Sequence, residues 1–174
     1  TLHRPALVDD AANFGAMIAQ LAELSAALPL LYPVHPRSLA RLQSAGLVAP
    51  DADLAAAPAV TGSRLHLCPA VRYLDFLWLM DHARLVITDS GGIQEETTVL
   101  GVPCVTARDN TERAVTIEQG TNELAGTDPT AVRAAAERAL RGPARPVRPV
   151  PELWDGHAGE RIARDLATWL APAG

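Results

Sequence analysis

Lysine is absent: all fifteen basic residues of the 174-residue chain are arginine. Without an amine side chain there is no Schiff-base nucleophile and no P-loop lysine, so two large groups of enzymes drop out. Cysteine is scarce. Cys68 and Cys104 each lie in an apolar stretch, far from any metal-like spacing. They read as buried thiols in a reducing compartment, with a pairing between them left open. No apolar run reaches the roughly 18 residues needed to cross a bilayer, and the opening TLHRPALVDD lacks a signal-peptide pattern, so a cytoplasmic protein with no membrane partner is expected. The start at Thr1 rather than Met suggests a fragment or a processed form. Twenty acidic residues give a net charge of -5, and no stretch gathers enough arginine for a nucleic-acid footprint.

What is present is hydrophobic pattern. With 48% apolar residues, the chain is expected to fold as a single domain over 1–174. Phe14, Met17, Ile18, Leu21, Leu24 and Leu28 recur at helical steps and predict a helix from Ala11 to Leu28. LPLLYPVHP reads as a buried strand, Ser38 to Ala45 as a helix, PDADLAAAPAVTGS as a surface connection and RLHLCP as a strand. YLDFLWLMDHA predicts a helix with Leu74, Leu77, Trp78 and Met80 mostly inward. RLVITDSGG is a strand running into a turn, and a helix from Ile93 to Leu100 stops at Gly101. VPCVTA and TNELAG are strands around the short helix TERAVTIEQG. Asp128 and Pro129 open another helix. After a Pro-rich stretch comes a last helix, roughly His157 to Leu170, amphipathic through Ile162, Leu166, Trp169 and Leu170. Packing on the chain's own sheet is its simpler reading, and docking on another domain the alternative. Strands alternating with helices predict an α/β fold, a Rossmann-like three-layer parallel sheet.

Such sheets bind ligands beyond the carboxyl ends of their strands. The segment TDSGGIQEE occupies one of those turns. Gly91 and Gly92 let backbone approach a bulky group, and the helix behind them offers free N–H groups and a positive dipole end to a phosphate or diphosphate. Ser90 is able to cap that helix or to donate to the same anion. A carboxylate one turn further in suits a ribose diol. The competing reading is that Ser90 and the acids form nothing more than a capping pattern.

TDSGGIQEE, taken with TLHR, YPVHP, FLWLM, TERAVTIEQGTN and DGHAGERI, resembles the UDP-N-acetylglucosamine 2-epimerase family, non-hydrolysing type. The matches run in order from residue 1 to about 165 and correspond to the C-terminal half alone. The resemblance implies the C-terminal domain of a glycosyltransferase-B architecture, with the acidic catalytic residues in an N-terminal domain that this chain lacks. It implies Ser90, Gly91 and Gly92 on the diphosphate of a UDP-sugar, Glu96 on the ribose, Phe76 against uracil, and Arg4, Arg108 and Arg113 facing the same cleft. His3 matches a histidine that contacts the diphosphate and supports catalysis. Phe76 also reads as plain core, and Arg108 and Arg113 as solvated charges. His35 is either near the site or part of a structural turn; His66 and His82 are not expected in it. Where the family has Glu-Asn after its His-Arg pair this chain has Ala6-Leu7, and where the family has Pro it has Ala114.

The implied reaction interconverts UDP-N-acetylglucosamine and UDP-N-acetylmannosamine by inversion at C2, through elimination and re-addition of UDP. It needs a base, a partner acid and donors that stabilise the departing diphosphate, and no metal or redox cofactor. This chain supplies the donors, so by itself it is expected to bind UDP weakly and to be inactive. A hydrolysing epimerase that releases N-acetylmannosamine and a non-catalytic nucleotide-sugar module are the alternatives. A homodimer is expected of a full protein, largely through its other half.

Overall fold

The computed structural model describes residues 1–54, 62–145 and 151–171. Pro5 opens a short helix α1 (Pro5–Val8), which the sequence patterns did not signal. Asp10 accepts from the Asn13 N–H at 3.0 Å and caps α2 (Ala11–Leu24), whose buried side is Phe14, Met17, Ile18, Leu21 and Leu24. The helix ends at Leu24 rather than Leu28. The Ser25 hydroxyl turns back to the Ala22 carbonyl at 2.6 Å and accepts from the Arg64 N–H at 2.8 Å, an alternative to helical pairing. Pro29 also disfavours a helical conformation for Leu28.

Strand β1 (Leu30–Val34) leads through His35 into α3 (Pro36–Ser44), and β2 (Leu65–Pro69) returns parallel to β1 with Leu30 opposite Leu65. The expected Pro/Ala-rich connection lies largely outside the described residues. Then follow α4 (Tyr73–Asp81), β3 (Val86–Thr88), α5 (Gly91–Leu100), β4 (Cys104–Thr106), α6 (Ala114–Glu118), β5 (Asn122–Leu124), α7 (Pro129–Arg141) and α8 (Ala158–Leu170). Strands β3, β4 and β5 form a second parallel ladder. Gly101 ends α5 with φ of 68°, a left-handed conformation that only glycine adopts cheaply.

The parallel α/β class is as expected, but the sheet comes in two pieces. Residues 1–3 run between them. The Thr1 nitrogen donates to Ile87 O at 2.7 Å and the Asp89 N–H to Thr1 O at 3.4 Å, while the Tyr32 hydroxyl donates to Leu2 O at 2.6 Å. Below this crossing a cavity of about 380 Å³ separates β1 from β3, lined by Leu30, Tyr32, Leu65, Phe76, Val86 and Ile87 among others. Successive strands therefore step outward from the centre on one side (β1, β2) and then on the other (β3, β4, β5). The strand order reverses at residues 1–3, which makes that point a topological switch.

Helices cover both faces. Val105 and Ala107 pack with α2, α7 and Tyr32 in the larger core, whereas Val86, Ile93 and Val102 pack with Phe76, Leu77 and Met80 of α4 on the other face. Burial of these side chains, at about 1.5–3 kcal/mol each, is the main force holding the layers together.

Three expectations are corrected. In α4, Leu74 and Trp78 are 74% and 59% exposed, while Phe76, Leu77 and Met80 pack inward and Leu79 lines the cavity. That helix is apolar nearly all round, so its periodicity did not fix which stripe is buried. Helix α8 does not pack on the sheet: none of its residues is buried, and Trp169 is 78% exposed. Both sheet faces are already taken, by α2 and α7 on one side and by α4 and α5 on the other. Cys68 is half-buried rather than buried, and both cysteines are free; burial pushes the Cys104 thiol up to about 11.

Candidate functional site

The switch point collects the chemistry. His3 and Arg4 follow the inserted segment, His35 follows β1, Asp89 to Gly92 follow β3, and Arg108 follows β4 by two residues. The last three groups lie at carboxyl ends of parallel strands, where a doubly wound sheet opens a crevice, and His3 and Arg4 are brought to the same place by the inserted segment.

Helix α5 begins there with Ser90 as its N-cap in extended conformation, yet the Ser90 hydroxyl makes no capping bond. The backbone N–H of Ser90 donates to Thr88 Oγ1 at 3.0 Å. The capping reading of this turn therefore fails: the serine hydroxyl and the first N–H groups of α5 are left to another acceptor. The acids do not cap either. Glu95 lies 3.0 Å from Arg113 Nε, and Glu96 accepts from the Tyr73 hydroxyl at 3.1 Å. Glu96 is half-exposed at the second turn of α5.

Gly91 is buried, and a Cβ there would come within 2.9 Å of Glu112 Oε1, the movable end of an exposed side chain that would have to shift. Gly92 is exposed, with open space where a side chain would stand. Glu112 lies between two guanidinium groups, 3.0 Å from Arg108 Nη2 and 3.3 Å from Arg113 Nη1. Its own backbone N–H and Arg108 hold its carboxyl below the usual carboxylate range. The Arg108 side chain is only 14% exposed, and its buried Nη1 has no hydrogen-bond partner among the described residues. A desolvated guanidinium N–H without an acceptor is costly, and an anion at the crevice would satisfy it.

A buried polar network fixes this second arginine turn against α5. Gln94, fully buried, accepts from Thr111 Oγ1 at 2.7 Å and from Asn122 Nδ2 at 3.3 Å, and donates to Ser90 O at 3.2 Å. Asn122 also accepts from Thr106 Oγ1 at 2.7 Å and donates to Thr116 Oγ1 at 3.1 Å. Thr111 Oγ1 in turn accepts from the Arg113 N–H at 3.0 Å. Neither Gln94 nor Asn122 stood out in the sequence, because a lone amide gives no sign that it is buried.

Asp89 was likewise missed. It is fully buried, and its Oδ2 accepts from the N–H groups of His3 at 2.8 Å and Arg4 at 2.7 Å. Its Oδ1 lies 3.1 Å from His3 Nδ1. Burial by itself would push this carboxyl up, but the His3 ring and the two N–H groups outweigh it and hold the carboxyl below its ordinary value. The His35 ring lies 5.4 Å from that of His3, and His35 Nδ1 also accepts from the Arg37 N–H at the start of α3, so both readings of His35 describe it.

Phe76 stands apart from this constellation. It is half-buried, packs with Met80, Val86, Ile93 and Val102, and lines the cavity below the switch point. His66 is exposed on β2, and His82 is stacked on Trp78 at 3.9 Å. Leu7, one of the two departures after His3-Arg4-Pro5, is buried in the larger core, while Ala6 and Ala114 are exposed. Among the described residues no cluster of three or more His, Cys, Asp or Glu forms a metal site, and no helix is long and apolar enough to cross a membrane.

The model of the family described as UDP-N-acetylglucosamine 2-epimerase matches residues 1–167. The UDP-N-acetylglucosamine 2-epimerase of Methanococcus maripaludis is 34% identical over 93% of this chain, which covers 42% of that protein. The UDP-2,3-diacetamido-2,3-dideoxy-D-glucuronate 2-epimerase of Pseudomonas aeruginosa is 31% identical over 96% of this chain and 43% of its own length. Among solved structures, the Methanocaldococcus jannaschii UDP-GlcNAc 2-epimerase in complex with UDP-GlcNAc and UDP superposes with a TM-score of 0.78 at 34% identity, over 96% of this chain and 44% of that one. The chain thus spans less than half the length of the relatives it matches.

Proposed function

Since the chain belongs to the UDP-N-acetylglucosamine 2-epimerase family, we propose that it forms the UDP-binding part of an enzyme that interconverts UDP-N-acetylglucosamine and UDP-N-acetylmannosamine. The observation that carries this reading is the uncapped start of α5 after β3, together with the unpartnered Nη1 of largely buried Arg108 after the neighbouring strand β4. A helix N-terminus and a guanidinium converging on one crevice suit the two phosphates of a nucleoside diphosphate.

In this reading the N–H groups of Gly91 and Gly92, the Ser90 hydroxyl and the side chains of Arg4, Arg108 and Arg113 hold the diphosphate. Glu96 accepts from the ribose hydroxyls and Phe76 packs near the uracil. His3 is the catalytic residue of this half: it donates to the departing diphosphate while the C1–O bond breaks. Charge developing on UDP in that step is what such fixed donors stabilise. The C2 proton leaves to a base, and UDP adds back after the opposite face of C2 is protonated. That base belongs to the remaining part of a longer protein, so the 174 residues alone bind UDP and do not turn substrate over.

The longest natural polypeptide containing this chain, incubated with UDP-N-acetylglucosamine in heavy water and followed by proton and phosphorus NMR, tests this. Deuterium at C2 of UDP-N-acetylmannosamine is the expected result. Free N-acetylmannosamine with UDP would instead establish the hydrolysing reaction. Exchange only with the diacetamido glucuronate sugar would make this chain a functional counterpart of the Pseudomonas aeruginosa relative.

A further inference from the structure

Asp89 is a fully buried carboxylate at the centre of the site and has no part in the reading above. As an ionised carboxylate it is an acceptor only. Two of its lone-pair directions are filled at Oδ2 by the N–H groups of His3 and Arg4, at 2.8 and 2.7 Å. Oδ1 is buried and lies 3.1 Å from His3 Nδ1, close enough for an ion pair but outside hydrogen-bond alignment, and no other described group donates to it. A carboxylate oxygen in that position admits a ring nitrogen that carries a proton and repels one that presents a lone pair. At 3.1 Å this favours the neutral imidazole with its proton on Nδ1, which puts the lone pair on Nε2, across the ring. The His3 side chain is 34% exposed, so the ring is not sealed in with its partner.

We propose that Asp89 is a positioning residue for His3, fixing its ring in the Nδ1–H form so that Nε2 is the one nitrogen that exchanges a proton with a bound diphosphate. The proposal rests on the diphosphate reading of the site for the second half of that statement only. The same carboxylate sets the backbone: through the His3 and Arg4 N–H groups, and through its own N–H on Thr1 O at 3.4 Å, Asp89 ties the inserted segment to the residue preceding Ser90. His3 and the α5 turn are thereby held at a fixed spacing. A carboxylate behind a histidine serves in the same way wherever ring orientation matters, by selecting the tautomer and raising the basicity of the far nitrogen.

The test reads the tautomer directly. Long-range proton–nitrogen NMR on the nitrogen-15-labelled 174-residue chain, above pH 8, distinguishes protonated from bare ring nitrogens, with His3→Gln assigning the signals. The wild type is expected to show His3 as Nδ1–H. In Asp89→Asn the amide oxygen keeps the two backbone N–H bonds and the amide nitrogen then faces Nδ1, so the ring is expected to switch to Nε2–H. An Nε2–H ring in the wild type, or no switch in a folded Asp89→Asn chain, overturns the proposal. If Asp89→Asn does not fold, the wild-type tautomer alone decides. A UDP titration followed by phosphorus NMR completes it: the wild-type resonances are expected to shift. A tautomer switch with no phosphorus shift in the wild type would remove the diphosphate reading and leave the positioning role standing.

Discussion

Thr1 stands opposite Thr88 as a residue of a parallel ladder does, its nitrogen on Ile87 O at 2.7 Å and its carbonyl receiving the Asp89 N–H at 3.4 Å.

Arg108→Gln should weaken UDP binding about 10- to 100-fold, the loss expected for one charge-assisted hydrogen bond to a phosphate. The melting temperature should hardly move, because the partner it loses, Glu112, is exposed. Calorimetric titration with UDP checks the first expectation and a melt the second.

The two glycines of the turn should separate. Gly92→Ala meets nothing within 4 Å and gains helix propensity, so the free chain should be as stable as the wild type or slightly more so. Gly91→Ala brings a methyl against Glu112 Oε1, which can swing away from the surface, so it should be only slightly the less stable of the two. Both should bind UDP more weakly, since both add bulk beside the phosphate turn.

Gln94→Leu leaves the donors of Thr111 and Asn122 without their acceptor in a buried place. A loss of roughly 2–4 kcal/mol in urea unfolding is expected, together with weaker UDP binding as the 108–113 turn loosens. Unchanged stability would mean that the network is hydrated.

How far the sequence went depended on the kind of signal. The Asp128 cap, the Gly101 stop and the buried stripe of α2 follow from local rules, and they appear as read. The phosphate turn was legible because strand, glycines and helix are contiguous in TDSGGIQEE. Asp89 was in plain view there but silent, since its importance comes from His3 and Arg4, 86 and 85 residues away. Gln94 and Asn122 are silent for the same reason. The inward stripe of α4 and the fate of α8 depend on which surfaces remain uncovered, and periodicity carries no information about that.

Beside the shared larger core, residues 1–4 and their hydrogen bonds clasp the β1–β2 ladder to the β3–β5 ladder above the cavity, and the clasp lies at the proposed nucleotide site. A diphosphate gripped by His3 and Arg4 on one side and by the α5 turn on the other closes that clasp a second time. Mass action then makes the cohesion of the two ladders a function of nucleotide concentration, about 2.7 kcal/mol at a hundredfold excess over the dissociation constant. The domain's integrity and its occupancy become one equilibrium.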